Sequence, residues 1–309
     1  LNLDASAADL SEWDEVVHNL THPEHEVKIA MVGKYMDLLD AYKSLNEALI
    51  HAGIHTSTDV DVTCLDSEDI ETKGVEILSD ADAILVPGGF GARGFEGKIA
   101  AAGYARTHNI PYLGICYGLH AAIIEYARNV GGLEGADTTE NNPNTPHPII
   151  GLITEWIDED GNLETRDIDS DLGGTMRLGK RKTVFKTTDS VMRVLYGNQA
   201  FVEERHRHRY EVNPKFVPEL EKAGLRFVGQ DVDNVRMEIM ELAGHPFYTA
   251  VQYHPEYLSR PMKPSPPYLG LILAATGKLQ SFLNKVSYAI LLHLTKYFVH
   301  KFAGFLEDF

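Results

Sequence analysis

A cysteine at position 116 lies in the turn Gly114-Ile-Cys-Tyr-Gly118, directly after the short apolar run Tyr112–Ile115. A helix-like pattern of apolar residues follows this turn. A G-x-C-x-G turn between a strand and a helix has the form of a nucleophile elbow with cysteine in place of serine. The flanking glycines remove Cβ clashes, and the amides of the following helix favour a thiolate and leave donors for an oxyanion. The alternative is a small residue buried in a tight turn.

A histidine followed two positions later by a glutamate occurs in the segment QYHPEYLS, as His254 and Glu256. A nucleophilic cysteine needs a base that accepts its proton, and imidazole suits that role near neutral pH. Residues i and i+2 of an extended segment point the same way. The sequence therefore predicts that Glu256 holds the ring of His254 while that ring serves Cys116. The alternative is an ordinary His-Pro turn with a solvated glutamate.

A glycine-rich loop, PGGFGARG at residues 87–94, follows the buried apolar run ADAILV. Glycines at this position let backbone amides approach a ligand or an oxyanion closely. The spacing is not G-x-G-x-x-G and no P-loop lysine follows, which argues against a nucleotide-phosphate site. A plain turn is the alternative, and the oxyanion interpretation depends on Cys116 being a nucleophile.

Apolar runs alternate with helix-like segments through the first half of the chain. This order predicts an α/β domain with a mainly parallel central sheet flanked by helices. Ligands bind beyond the carboxyl ends of the strands in such sheets, which is where the glycine loop and Cys116 fall. The predicted strands lie at residues 27–35, 59–68, 81–86 and 110–116, and the predicted helices at 40–53 and 98–109.

Shorter strands are predicted after about residue 140. Residues 147–167 have the pattern of a hairpin with Asp160-Gly161 as its turn. Residues 237–259 contain two predicted strands around a His-Pro turn, and one helix around residues 268–283 is expected to close the domain.

The composition excludes several classes of protein. The 309 residues are 44% hydrophobic and 24% charged, as in a globular protein with a real core, and their net charge is −17. Such an acidic chain is not expected to bind nucleic acid through its surface. Two cysteines, Cys64 and Cys116, and no signal-peptide pattern indicate a reducing, cytoplasmic location, and Cys64 is expected to be a small core residue of a strand.

The two ends of the chain differ from its middle. Residues 1–25 are polar, with one short helical pattern around residues 11–19, and are interpreted as the remnant of a linker in a fragment of a longer protein. Residues 284–309 are rich in aliphatic and aromatic residues at helical spacing, interrupted by lysines and histidines. This pattern favours an amphipathic helix that packs on the protein or on a partner over a membrane-surface helix, and no membrane-spanning segment is expected.

The order PGGFG, GICYG, HPE resembles that of the class I glutamine amidotransferase family. Further segments are similar to the glutaminase domain of the CTP synthase family. They are VGKYMDLLDAYKSLNEAL, LVPGGFGARGFEGK, GGTMRLGKR, ERHRHRYEVNP and VQYHPEYLSRPMKPSPPY. The resemblance covers residues 26–283, implies a flavodoxin-like architecture with a nucleophile elbow, and leaves residues 284–309 unmatched.

The resemblance also implies a role for individual residues. Cys116 would attack the carboxamide of L-glutamine, His254 would move the protons, and Glu256 would orient His254. The amides of Gly89 and Tyr117 would form the oxyanion hole. The implied substrate-binding residues are Gly89, Tyr117, His120, Glu140 and Arg209, with no metal site.

Position 120 departs from the family pattern, which has glutamine four residues after the nucleophile. Tyr117 likewise stands where leucine or valine is common. Histidine can donate one hydrogen bond, but its ring is bulkier than a glutamine side chain and can carry a charge. His120 therefore raises the hypothesis that glutamine binding is weakened.

For a full-length protein, the resemblance implies an N-terminal amidoligase domain that uses ATP, Mg²⁺ and UTP and receives ammonia to form CTP. GTP would bind at the domain interface as an activator, within a homo-oligomer, and the glutaminase domain itself would need no cofactor. Two alternatives stay open. One is a regulatory or assembly module that has lost glutamine binding, and the other is a free-standing γ-glutamyl cysteine hydrolase, against which the long sequence matches count.

Overall fold

A computed structural model describes residues 8–34, 39–152, 155–157, 163–165 and 176–288. These residues form a large sheet with helices on both faces. In chain order, the helices are α1 (Ser11–Thr21), α2 (Lys43–Thr56), α3 (Ser67–Lys73), α4 (Phe95–His108), α5 (Tyr117–Asn129), α6 (Val191–Leu195), α7 (Val217–Lys222), α8 (Pro266–Ala275) and α9 (279–288). The strands are β1 (His25–Gly33), β2 (Thr58–Asp66), β3 (Ala83–Val86), β4 (Tyr112–Ile115), β5 (Ala136–Thr138), β6 (His147–Leu152), β7 (Glu155–Ile157), β8 (Leu163–Thr165), β9 (Arg177–Phe185), β10 (Phe201–His208), β11 (Tyr210–Val212), β12 (Leu225–Gln230), β13 (Met237–Leu242) and β14 (Tyr248–Val251).

The central sheet has nine strands in the order β10-β9-β12-β13-β14-β4-β3-β1-β2. The five strands from β14 to β2 run parallel to one another, and the other four continue the sheet in antiparallel pairs. The predicted α/β class, with helices flanking a central sheet, is confirmed. The shorter strands predicted in the second half supply the antiparallel extension.

Three adjacent parallel strands position the residues singled out in the sequence. The glycine loop follows β3, Cys116 follows β4 and His254 comes shortly after β14, and these strands are neighbours in the order β14-β4-β3. Their residues are fully buried, as expected for parallel strands covered on both faces. Because the three strands end at the same edge of the sheet, segments far apart in sequence meet there.

The core consists of two layers, one on each face of the sheet. One layer packs α3, α4, α5 and α7 against the sheet, and the other packs α2, α6 and α8. Residues 117–127 of α5 are all buried, so this helix lies inside the molecule rather than on its surface. The helix that carries the Cys116 turn is thereby held rigidly from all sides.

Three of the predicted elements turn out differently or only in part. The antiparallel strands β7 and β8 confirm the hairpin, although its turn at Asp160-Gly161 lies outside the described residues. The single helix predicted at 268–283 is wrong, because α8 ends at Ala275 and Gly277 takes a φ of +69° before α9 begins. A glycine with positive φ ends a helix without a Cβ clash. Of the tail 284–309, residues 289–309 are not described.

The helix predicted near the start of the chain is present as α1, which packs against α2 and β2. Among the described residues, no helix has the length and apolar character needed to cross a membrane.

Gly118 is where the backbone of α5 approaches β3 most closely. A Cβ added there would lie 2.1 Å from the carbonyl oxygen of Val86, which is backbone and cannot move aside easily. We expect Gly118→Ala to lower the free energy of unfolding by about 2–3 kcal/mol, because the helix must shift away from the sheet. Urea denaturation measures this change. Gly151→Ala is the matched control, since a Cβ there meets no atom within 4 Å, and a loss as large as that of Gly118→Ala would contradict the prediction.

Candidate active site

Cys116 forms a sharp turn between β4 and α5. Its backbone angles are φ 52° and ψ −98°, in the positive-φ region that non-glycine residues rarely occupy. Three backbone hydrogen bonds stabilise this strained conformation. The Cys116 amide donates to the Val251 carbonyl at 2.7 Å, and the Cys116 carbonyl accepts from the amides of Leu119 at 3.0 Å and His120 at 3.3 Å. The structure therefore has the elbow that the G-x-C-x-G pattern predicts.

The ring of His254 lies between Cys116 and Glu256. Its Nδ1 is 2.9 Å from Oε1 of the buried Glu256 carboxylate, and the ring lies close enough to the Cys116 thiol for the two groups to interact. Burial alone would lower the pKa of His254, but the hydrogen bonds and charges of Cys116 and Glu256 raise it to about 11. The imidazolium form of His254 is thus favoured at neutral pH.

The backbone that pairs His254 with Glu256 is not extended, so the predicted strand-like spacing is wrong. Residues Pro255–Leu258 form a 3₁₀ turn that begins directly after His254, and Glu256 is its second residue. Proline fixes φ near −65° and favours the first position of such a turn. The two side chains still meet, because the turn brings the carboxylate back to Nδ1.

The glycine loop packs against the side chains of Cys116 and His254. A Cβ on Gly88 would lie 3.0 Å from Cε1 of His254 and 3.5 Å from Cβ of Cys116, so glycine lets the loop backbone approach both side chains. Gly89 follows, with Tyr117 on its other side. Tyr117 is the first residue of α5, and the first amides of a helix have no intrahelical acceptor. The amides of Gly89 and Tyr117 are therefore available at the rim of one cavity.

That cavity has a volume of about 470 Å³, which suits a small polar molecule. The structure brings all the sequence-predicted site residues except Glu256 to its wall, and Glu256 lies behind His254. The lining residues are Ala41, Tyr42, Gly88, Gly89, Phe90, Cys116, Tyr117, His120, Glu140, Met176, Arg207, His208, Arg209, Tyr210 and His254.

Glu140 and Arg209 supply opposite charges to this wall. The Glu140 carboxylate accepts a hydrogen bond from the Gly91 amide at 2.8 Å. Burial raises the pKa of Glu140, while the Gly91 amide, Lys34 and Arg209 act in the opposite direction. Arg209 stands just past the end of β10, at the junction with β11. One carboxylate and one guanidinium in a single cavity fit the two charges of a free amino acid.

The RHRHR segment has two faces because it is a strand. Along β10, Glu204, His206 and His208 are buried, whereas Arg205 and Arg207 are exposed. His208 hydrogen-bonds Glu211 at 2.8 Å, and burial lowers the pKa of His206 to about 2. His206 is therefore neutral, and burial also lowers the pKa of His208.

His120 lies at the cavity wall but is only 2% exposed. Its Nε2 is 3.0 Å from Oε1 of Gln252, and Nε2 of Gln252 lies 3.7 Å from the sulfur of Cys116. Burial lowers the pKa of His120 to about 4, so the ring is neutral at pH 7. The charge considered from the sequence is therefore absent, and one ring nitrogen is engaged with Gln252.

Sequence reasoning missed Gln252 and Arg207. Gln252 precedes His254 by two positions, and that spacing after a strand is the signal that could have placed it beside the site. Arg207 contributes its backbone carbonyl, 3.9 Å from the Cys116 sulfur, a contact that no side-chain pattern announces. Cys64 lies in β2 and is partly buried, and burial raises the pKa of its thiol.

Comparison with known proteins agrees with this geometry. A family model described as glutamine amidotransferase class-I matches residues 37–274. The solved glutaminase domain of Trypanosoma brucei CTPS, with bound acivicin, is 38% identical, with a TM-score of 0.72, and the match covers 82% of this chain and 94% of that one. SMU.1228c matches with 10% identity and a TM-score of 0.42, covering 82% of this chain and 99% of that one. This last score is too low to bear on function.

Proposed function

Because the chain belongs to the class I glutamine amidotransferase family, we propose that its cavity hydrolyses L-glutamine to glutamate and ammonia through a thioester on Cys116. The observation that carries this proposal is the cavity wall on which Cys116 and His254 meet, with the Glu256 carboxylate hydrogen-bonded to the His254 ring. An activated thiol, a base and an orienting carboxylate are the parts that acyl transfer requires.

The first half of the reaction forms the thioester. The Cys116 sulfur attacks the side-chain carboxamide carbon, and the carbonyl oxygen gains negative charge, which the amides of Gly89 and Tyr117 stabilise. The His254 imidazolium then gives its proton to the leaving nitrogen, and ammonia departs as the C–N bond breaks.

The second half returns the enzyme to its starting state. Neutral His254 takes a proton from water, and the resulting hydroxide attacks the thioester carbon. The C–S bond breaks and glutamate leaves. Glu256 keeps the ring in one orientation and stabilises the imidazolium in both halves.

Glu140 and Arg209 are proposed to hold the amino-acid end of the substrate. The carboxylate of Glu140 suits the α-ammonium group, and the guanidinium of Arg209 suits the α-carboxylate in a charge-assisted pair. His120 completes the proposed substrate-binding set, together with Gly89 and Tyr117.

We further propose that the chain is the glutaminase domain of a CTP synthase. The identity of 38% to the Trypanosoma brucei domain over 94% of its length supports this. The ammonia would pass to an amidoligase domain that uses ATP, UTP and Mg²⁺, with GTP bound between the domains, in a cytoplasmic homo-oligomer. A glutaminase assay with and without an added amidoligase domain, ATP, UTP and GTP tests this, because a free-standing hydrolase would show no dependence on them.

The neutral state of His120 bears on the alternative of a module with weakened catalysis. We expect His120→Gln to change kcat/KM for glutamine by less than about fivefold, since a glutamine amide also donates toward Gln252 and leaves the cavity uncharged. Steady-state glutamate release measures this. His120→Leu is the contrasting variant, and it should lower kcat/KM by about tenfold because it leaves the side-chain carbonyl oxygen of Gln252 without the partner it has in His120. A rise of more than about tenfold in His120→Gln would instead favour the weakened module.

A further inference from the structure

Two buried lysines contact the glycine loop without lining the substrate cavity. Lys98 belongs to α4 and has no exposed surface, and Lys34 directly follows β1 and is 6% exposed. Neither lines the cavity, although a Cβ on Gly89 would lie only 3.9 Å from Nζ of Lys98.

Both lysines donate to backbone carbonyls of this loop. Nζ of Lys98 donates to the carbonyl of Pro87 at 3.1 Å. Nζ of Lys34 donates to the carbonyls of Phe90 at 2.6 Å and Gly91 at 2.8 Å. A carbonyl and the amide that follows it share one rigid peptide plane, so a fixed carbonyl also fixes the direction of the next N–H. The two lysines thus fix the loop on either side of Gly88 and Gly89.

Two further contacts fix the far end of the loop. The hydroxyl of Tyr117 donates to the Gly91 carbonyl at 2.9 Å, and the Gly91 amide donates to Glu140. Gly91 is therefore held through both its carbonyl and its amide. Gly88 and Gly89, which have no side chains of their own, depend on these neighbours for a defined orientation.

Burying a lysine at position 98 costs folding free energy that a space-filling role alone does not explain. Burial lowers its pKa to about 7, while the charges of Cys116 and Asp66 act in the opposite direction. Among the described residues its ammonium group forms no salt bridge, and its hydrogen-bond acceptor is the Pro87 carbonyl. A methionine of similar length would fill the same volume without a buried charge.

We propose that Lys98 and Lys34 are positioning residues that clamp the glycine loop by its carbonyls, so that the Gly89 amide faces the oxyanion formed on the substrate. This inference rests on the proposed glutamine hydrolysis. It predicts that the lysines affect the step in which the oxyanion develops, and not the binding of glutamine or the reactivity of the thiol alone.

The test compares Lys98→Met and Lys34→Met with wild type in three measurements. These are kcat and KM for glutamine hydrolysis, the rate at which iodoacetamide alkylates Cys116, and the thermal unfolding midpoint. Alkylation forms no oxyanion, so it reports the thiol without the loop amides. Lys73→Met is the matched control, because Lys73 is exposed on α3 and pairs with Asp69.

Each lysine variant is expected to lower kcat by about tenfold or more, with KM changed by less than about threefold. For Lys34→Met the alkylation rate should stay near that of wild type. Lys98→Met also removes a charge that interacts with Cys116. In this variant kcat should therefore fall at least about fivefold more than the alkylation rate does. Lys34→Met carries the test if Lys98→Met does not fold.

An unchanged kcat, or a kcat that falls only in parallel with alkylation, would overturn the clamp. A wild type that releases no more glutamate than Cys116→Ala would instead overturn the proposed function itself. The two failures are therefore distinguishable.

Discussion

Cys116→Ala is expected to reduce glutamate release from glutamine by about four orders of magnitude, to the background rate. The thioester cannot form without the sulfur, and the remaining cavity can only bind glutamine beside a His254 that has lost its thiol partner. The measurement is coupled detection of glutamate with the purified chain. Folding should be retained, because the alanine side chain fits the turn that the cysteine occupies and only one heavy atom is lost.

Cys64 provides the matched control for this prediction. Cys64→Ala should leave glutamate release unchanged, since Cys64 lies in β2 and takes no part in the cavity. A glutamine analogue carrying a diazoketone should label Cys116 and leave Cys64 unmodified, as mass spectrometry can show. Equal labelling of both thiols, or equal glutamate release by wild type and Cys116→Ala, would contradict an activated nucleophile at position 116.

The sequence predicts the site well because the residues of the site lie after predicted strands. Glycines at positions 114 and 118 and the apolar run before Cys116 define the elbow locally, and local patterns are what a single sequence reveals. The meeting of Cys116 with His254 depends on β14 lying beside β4 in the sheet. No periodicity in the sequence predicts that these two strands are neighbours. His254 was the candidate because a nucleophilic cysteine requires a base.

The structure corrects what depends on tertiary contacts. The 3₁₀ turn at Pro255–Leu258 replaces the expected extended segment. Proline at the start of the turn and the hydrogen bond between His254 Nδ1 and the Glu256 carboxylate outweigh strand propensity. His120 is neutral because burial decides its pKa, and burial is not visible in a single sequence. Lys98 begins the helix predicted at residues 98–109, but its burial beneath the glycine loop follows from how α4 packs, which no local pattern predicts.

The elbow, the base and the loop are also energetically connected. Positive φ at Cys116 and the burial of Lys98 each cost folding free energy when considered alone, whereas the raised pKa of His254 adds stability that is lost only as the pH rises through about 11. The positive charges of His254 and Lys98 both favour negative charge near the cavity. Unfavourable features that cluster around one cavity and act in the same direction are typical of functional sites.

His254→Asn is expected to lower kcat/KM more than Glu256→Gln does. Loss of the base should lower kcat/KM by about 10³–10⁴-fold, and loss of the orienting carboxylate by about 10²-fold, because the ring remains but is held less firmly. Glu203→Gln is the matched control for Glu256→Gln, since Glu203 is exposed on β10 and pairs with Lys180.

The pH profile gives Glu256→Gln a second signature. Because its pKa is raised, His254 stays an imidazolium, and keeps its ion pair with Glu256, up to a pH of about 11. Glu256 supplies part of that rise through its hydrogen bond and its charge, so the pKa of His254 should fall in Glu256→Gln. The alkaline limb of kcat/KM, which reports the imidazolium that protonates the leaving nitrogen, should therefore move to lower pH. An alkaline limb that stays in place while the rate falls would mean that Glu256 acts on the ring's position alone and not on its charge.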